Sequence, residues 1–284
     1  MKLIVILITL LIVRYMHFAR RENRYYWFQA YAASIQKYFK SIQQAWVLTV
    51  IILLPILIFA LFLQLVLVHG IFYIIAFIFS VLVLWYCLWP ISLQEHFASS
   101  LAQQQSTSDD DNQSNGEAEN TDAVNTDDNG KHALSEAVLC DANTHTFAVL
   151  FWYVVLGPFG AILYRMVTQL IKLGSDTNDQ SNALAAVAHK LENLLDWLPA
   201  RLVGLSYVLA GNFVKGFTEW IHYVKGGLGS SRDLLIASGL GATDVDPDAP
   251  GDVEEGYQVL RMVERALIVW LVVIAILTLG QFIY

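Results

Sequence analysis

The sequence predicts an all-α, polytopic helical membrane protein with about four transmembrane helices, a broken Gly-Pro helix and amphipathic interfacial helices. Of its 284 residues, 56% are hydrophobic and only 15% are charged, whereas soluble domains average about 25% charged residues. The apolar residues form long runs, and one run contains a Gly-Pro pair at its middle. Further along the chain, leucines recur at helical spacing opposite polar residues, which is typical of amphipathic helices.

The acidic residues are concentrated in one segment. Ten of the 25 acidic side chains lie between Asp109 and Asp141, so the net charge of −8 mostly describes this segment. Residues 98–146 are rich in Gln, Ser, Asp, Asn and Thr and almost lack aromatics. Such a composition buries too little apolar surface to offset the entropy of ordering. We therefore expect a disordered acidic linker without chemistry of its own, apart from one helical turn over Leu134–Leu139.

Three apolar runs precede the linker. Leu3–Val13 lacks a cleavage site and is predicted to be a retained first span or short anchor. Trp46–Val68 and Ile71–Trp89 predict a membrane hairpin. Basic and aromatic residues alternate between Arg14 and Lys40. By the positive-inside rule this loop is cytoplasmic, and a membrane-surface helix is favoured over nucleic-acid binding.

The run Phe147–Leu163 has no charge and no amide side chain. Pro158, near its middle, lacks an amide hydrogen and crowds the preceding turn, so a kink or break is expected. Arg165 follows the run directly. Two interpretations stay open: a kinked span with a snorkelling Arg165, or a broken helix that helps to form a polar site.

Two amphipathic helices are predicted after this run. Leucines at helical spacing from Leu184 to Leu198 predict the first, and Pro199 is expected to separate it from a second helix, Ala200–Val224. Arg201 follows this proline closely and is a candidate anion ligand. The predicted regions are an N-terminal membrane region (1–97), the linker (98–146), a broken span with amphipathic helices (147–265) and a C-terminal transmembrane helix (266–284).

Motifs of common catalytic sites are missing from the sequence. Cys87 and Cys140 belong to no metal-binding or disulfide spacing. Gly226–Ser231 is glycine-rich but does not match a phosphate-binding loop. No serine lies in a nucleophile elbow. From these patterns we expect no metal, no cofactor, no catalytic residue and no nucleic-acid partner.

Three stretches resemble one known family when taken together. These are GPFGAILYR at 157–165, HKLENLLDWLPARL at 189–202 and GSSRDLLIASGLGA at 229–242. In order and spacing they resemble the CobD/CbiB membrane synthases of cobalamin biosynthesis. The resemblance implies an ATP-dependent amide ligase that joins an aminopropanol phosphate to the corrinoid. Within that superfamily, Leu195–Gly211 looks closer to the AmpE branch, whose members are bacterial inner-membrane proteins linked to β-lactamase induction. The resemblance therefore implies a multi-pass protein of the bacterial inner (cytoplasmic) membrane.

Several acidic positions of the synthase pattern differ here. Its Asn-Thr-Leu-Asp sequence corresponds to Thr168–Ile171, and its paired aspartates correspond to Glu192 and Asn193. ATP chemistry needs carboxylates for Mg²⁺ and cations for phosphates. The arginines are present and most of the carboxylates are not. The predicted anion site consists of Arg165, Arg201, Tyr164, Gly157, Pro158, Gly160, Glu192, Asn193 and Asp196.

The leading prediction is therefore a non-catalytic, AmpE-like regulator that links cell-wall metabolism to β-lactamase induction. Its expected partners are the lipid bilayer, a cell-wall-derived anionic ligand or nucleotide, and a signalling protein. The alternative is a CobD/CbiB-like, ATP-dependent amide-forming enzyme of cobalamin biosynthesis. A transporter is disfavoured because we find no internal hydropathy repeat and no intramembrane carboxylate.

Overall fold

The computed structural model describes residues 2–15, 25–38, 44–69, 73–88, 133–173, 179–225, 230–243 and 253–283. Within these ranges the chain is helical, as predicted. The helices are α1 Lys2–Tyr15, α2 Tyr26–Tyr38, α3 Ala45–His69, α4 Tyr73–Cys87, α5 Ala133–Ala142, a π-helical segment Asn143–Phe147, α6 Ala148–Leu156, α7 Pro158–Leu173, α8 Asp179–Ala210, α9 Phe213–Lys225, α10 Ser231–Ala242 and α11 Val253–Ile283.

The chain forms two compact units. The first comprises Met1–Trp89, Thr146–Pro199 and Val273–Tyr284, and the second comprises Pro90–His145 and Ala200–Val272. In the first unit α7 is the central helix, because α2, α3, α4 and α6 all pack against it. Its apolar core includes the fully buried Phe28, Leu48 and Leu170.

Two helices among the described residues are long and apolar enough to cross a membrane. They are Ala45–Val66 and Ser135–Leu156; Lys2–Val13 and Ile74–Cys87 are shorter apolar helices. The surface of α3 exposes large apolar side chains such as Ile58, Phe59 and Phe62. A contiguous apolar surface of this kind is costly in water. These features agree with a membrane protein, and the predicted last span lies in α11.

The end of the predicted linker is ordered. Residues 98–132 lie outside the described residues, but α5 and the π-helical segment occupy 133–146, where only one helical turn, Leu134–Leu139, was expected. The reason is burial of three apolar side chains within the polar stretch: Val138, Leu139 and Ala142 are each less than 5% exposed. In the second unit α5 packs against α10. This packing supplies the apolar contacts that the average composition conceals.

The predicted separation of two helices at Pro199 is wrong. Pro199 lies inside α8, which continues to Ala210. The chain turns instead at Gly211 and Asn212, where Asn212 N donates to Ala242 O at 2.7 Å. A Cβ atom on Gly211 would lie 2.3 Å from that same carbonyl oxygen. Contact with α10 therefore fixes the turn at a glycine, although proline is the stronger local helix breaker.

Candidate functional site

The apolar run is broken at the Gly-Pro pair, as one of the two interpretations expected. Helix α6 ends at Leu156 and α7 begins at Pro158. Gly157 between them has φ 74° and ψ −157°, a region of backbone space that only glycine enters readily. Its amide donates to Tyr153 O at 2.8 Å. Gly157 therefore ends α6 by its backbone conformation.

Gly160 allows α7 to start close to α6. A Cβ atom on this residue would lie 2.3 Å from Trp152 O and 2.8 Å from Leu156 Cβ. Real Cβ atoms do not approach other heavy atoms so closely. Gly157, Pro158 and Gly160 were predicted to belong to a ligand site, and each has a conformational reason of its own to be present here.

Tyr164 and Asp196 were predicted to share a site, and the structure brings them into contact. The Tyr164 hydroxyl donates to Asp196 Oδ1 at 2.8 Å, and both side chains are buried. Next to this pair, Trp152 Nε1 donates to Leu195 O at 3.3 Å. The hydrogen bond between Tyr164 and Asp196 joins α7 to α8 within the first unit and holds the phenol in one orientation.

Arg165 is buried and does not snorkel to an interface. Only 2% of it is exposed. Its Nε donates to the Tyr25 hydroxyl at 3.1 Å, and its Cζ lies 5.3 Å from the centroid of the Tyr25 ring. That hydroxyl in turn donates to Tyr86 O at 3.0 Å. Burial raises the pKa of Tyr25 to about 12, although the Arg165 charge acts in the opposite direction.

The remaining residues predicted on α8 differ in their surroundings. Glu192 is half-buried, one helical turn before Asp196, and burial raises its pKa. His189 Nδ1 lies 3.5 Å from Glu192 Oε2. Asn193 is exposed. Glu192 is therefore close to the Tyr164–Asp196 pair along the helix, and Asn193 lies on a different face.

Arg201 belongs to the second unit, whereas Arg165 belongs to the first. The Arg201 side chain is partly exposed, and burial lowers its pKa from the ordinary value. Its backbone oxygen accepts a hydrogen bond from Trp220 Nε1 at 3.0 Å. The anion site that these two arginines were predicted to share stays a prediction.

Two positions that carry polar residues in the synthase pattern are buried here. Thr168 Oγ1 donates to the Arg165 carbonyl at 2.8 Å, and Gln169 is 2% exposed. Over the parts of the chain that the structure describes, no three His, Cys, Asp or Glu side chains converge as metal ligands. The described residues therefore contain no cluster to which a resident metal can be assigned.

Sequence reasoning missed two residues of this region, Tyr25 and Gln64. Tyr25 was visible only as one aromatic among many in the basic loop. Gln64 gave a clearer signal, because it is an amide within the apolar run of α3. Its oxygen accepts from Phe159 N at the start of α7.

Comparison with known proteins identifies the family. The profile of the family described as CobD/Cbib protein matches residues 10–230. The chain belongs to the CobD/CbiB family. A cobalamin biosynthesis protein CobD from Chromobacterium violaceum is 34% identical over 113 residues, which are 40% of this chain and 36% of that protein. CobD from Stutzerimonas stutzeri is 30% identical over 113 residues, again 40% of this chain and 37% of the relative.

A more distant relative is the probable cobalamin biosynthesis protein CobD of Pyrococcus furiosus. It is 25% identical over 149 residues, which are 51% of this chain and 50% of that protein. The chain therefore spans about a third to a half of the length of these CobD/CbiB relatives. No solved structure matches it.

The predicted AmpE-like regulator of β-lactamase induction is wrong. The family profile and all three relatives are named for CobD and cobalamin biosynthesis, and none of them is named for the AmpE branch. These matches favour the alternative that the sequence left open, the CobD/CbiB-like enzyme. The predicted cell-wall-derived ligand or nucleotide, the signalling partner and contact with the bilayer stay predictions.

Proposed function

We propose that this chain acts in cobalamin biosynthesis as a multi-pass inner-membrane protein that forms an amide in an ATP-dependent reaction. Its substrates would be an aminopropanol phosphate and a corrinoid carboxyl group. The observation that supports this most is the family match over residues 10–230, together with relatives named for cobalamin biosynthesis. Because the chain spans only part of those relatives, the activity is proposed for this chain separately from its family membership.

Phosphate recognition is the first task of such a site, since ATP and the amine substrate are both anionic. A guanidinium group offers paired donors that match phosphate oxygens. Arg201 is partly exposed, and we assign the phosphate contact to it. Arg165 is buried against Tyr25, so we assign no direct ligand contact to it.

Positioning of the helices is the second task. The Tyr164 hydroxyl donates to Asp196 Oδ1 at 2.8 Å, and both side chains are buried. We therefore assign this pair to holding α7 against α8 and not to direct contact with a substrate. Mg²⁺ accompanies ATP in reactions of this class, and no step is assigned to a metal held by the described residues.

The exposed apolar surface of the helices supports the proposed membrane location. Helix α3 exposes Ile58, Phe59 and Phe62, and α4 and α11 expose further large apolar side chains, including Ile74 and Ile276. Helices of this kind are stable when lipid covers them. We therefore place α3, α4, Ser135–Leu156 and the second half of α11 in the bilayer.

Purified full-length protein in detergent or lipid nanodiscs tests the proposal. It is incubated with a corrinoid acid, aminopropanol phosphate, ATP and Mg²⁺, and the amide is measured by mass spectrometry. We expect ATP-dependent product. Arg201→Ala should lower kcat/KM by about tenfold or more, because it removes a charge-assisted hydrogen bond.

The matched control is Lys225→Ala, an exposed cation at the end of α9 in the same unit, which should retain normal activity. Folded protein that forms no amide under these conditions would contradict the proposed reaction. Equal effects of the two variants would contradict the role of Arg201 but would leave the proposed reaction standing.

A further inference from the structure

The proline of the break leaves one carbonyl of α6 without its helical donor. In an unbroken helix, residue 158 would donate its amide hydrogen to Val154 O, but Pro158 has none. Lys2 Nζ, from the first turn of α1, donates to Val154 O at 2.7 Å. A cation at this place also meets the negative end of the α6 dipole. Lys2 therefore replaces the hydrogen bond that Pro158 removes.

Gln64 binds two further backbone groups, one on each side of the break. Gly160 N donates to Gly157 O at 3.0 Å, and not to the carbonyl four residues before it as in a regular helix. Gln64 Nε2 donates to that carbonyl, Leu156 O, at 3.2 Å. Gln64 Oε1 accepts from Phe159 N at 3.1 Å. One neutral amide thus binds the last carbonyl of α6 and an amide in the first turn of α7.

The position of Gln64 makes these hydrogen bonds important for stability. It lies within Ala45–Val66, one of the two helices that can cross a membrane. A polar side chain in such a helix is costly unless it is hydrogen-bonded. Non-helical backbone at the same depth is equally costly unless protein groups satisfy it. Gln64 and the broken backbone therefore satisfy each other.

We propose that Gln64 and Lys2 are positioning residues that fix the break at Gly157–Pro158 and thereby the direction of α7. That helix carries Tyr164 and Arg165 to their partners, Asp196 at 2.8 Å and Tyr25 at 3.1 Å. Hydrogen bonds of this length weaken steeply when the geometry changes. A small rotation of α7 about the break is therefore enough to separate both pairs.

The substitution Gln64→Glu tests the two hydrogen bonds of residue 64, because it makes one of them depend on pH. When protonated, the introduced carboxyl group still donates to Leu156 O and accepts from Phe159 N. When ionised, it can only accept. The bond to Leu156 is therefore present while the carboxyl group is protonated and is lost when the group ionises as the pH rises.

Amide hydrogen exchange in nanodiscs measures the outcome without an activity assay. In Gln64→Glu, protection of the segments 157–161 and 164–168 relative to the unchanged protein should fall by about tenfold or more as the pH rises, the size expected for an orphaned buried group. Gln64→Met should lose protection at every pH. The matched control is Leu61→Met, an exposed apolar residue on the same helix, which should exchange normally.

Lys2→Met should lower the protection of the carboxyl end of α6 in the same way.

The activity readout rests on the proposed function: amide formation by Gln64→Glu should decline over the same pH range as the protection, more steeply than in the unchanged protein. Normal protection at 157–161 in Gln64→Met would overturn the role of Gln64. Lost protection at 157–161 with normal protection at 164–168 would overturn its positioning of α7. Failure of the unchanged protein to form amide would instead count against the proposed function. The hydrogen-exchange result would still decide whether Gln64 and Lys2 position α7.

Discussion

The Tyr164 hydroxyl donates a 2.8 Å hydrogen bond to Asp196 Oδ1, and only 8% of Asp196 is exposed. The two residues are 32 positions apart in the chain. They therefore meet only because α7 and α8 pack together. This bond joins two side chains of the predicted site across separate helices.

Loss of that bond should be non-additive. Asp196→Ala leaves a buried hydroxyl without this acceptor and should lower the free energy of unfolding by about 1–3 kcal/mol. In a Tyr164→Phe background the same change should cost at least about 0.5 kcal/mol less. Chemical unfolding in detergent measures all four proteins. Lys190→Ala, on the exposed face of α8, is the control, and strictly additive effects of the two site changes would contradict the coupling.

Stability should fall at alkaline pH because of Tyr25. The pKa of this buried phenol is raised to about 12, above about 10 for an unfolded chain. A group whose folded pKa is raised contributes stability that is fully present below pH 10 and is lost as the pH rises toward 12. Tyr25→Phe should therefore show a smaller loss between these values in unfolding experiments. Tyr26→Phe, at an exposed neighbour, should keep the full alkaline loss.

The half-buried Glu192 should destabilise the protein when it is ionised. Burial raises its pKa, so folding favours the protonated form, and that contribution is lost as the pH rises through the raised value. Glu192→Gln should consequently have a higher Tm than the unchanged protein at neutral pH, with the difference vanishing in acid. Thermal unfolding from acid to neutral pH measures this, and Glu219→Gln, at an exposed site, is the comparison. A constant difference across the pH range would argue against ionisation as the cause.

Gly160 should tolerate no side chain. Its Cβ would lie 2.3 Å from Trp152 O, and relief of such overpacking typically costs about 1–3 kcal/mol. We therefore expect Gly160→Ala to lower the free energy of unfolding by that amount. Gly280→Ala is the control, since no atom lies within 4 Å of its Cβ position. Equal stability of the two variants would show that α7 can move away from α6 freely.

Local chemistry made part of this architecture predictable, and packing decided the rest. Pro158 broke its helix as expected, whereas Pro199 did not break α8. At Pro158 the adjoining Gly157 adopts a positive φ, so the chain can leave the helix there. The full length of α5 was missed for a similar reason, because Leu139 gains its burial from a distant helix. Gly239 shows this directly: its Cβ would lie 2.5 Å from Leu139 Cδ1.

The sequence by itself determined the helical class, the apolar segments and the break after Leu156, because each depends on a run of neighbouring residues or on the missing amide hydrogen of one proline. It also predicted that Tyr164 and Asp196 belong to one site, and the structure brings these two side chains into contact. The folded structure alone decided that Arg165 is buried against Tyr25, 140 residues away, and that Gln64 binds Leu156, 92 residues away. Such pairs form only when separate helices pack, since the local sequence around a side chain does not specify which distant group will form a hydrogen bond with it.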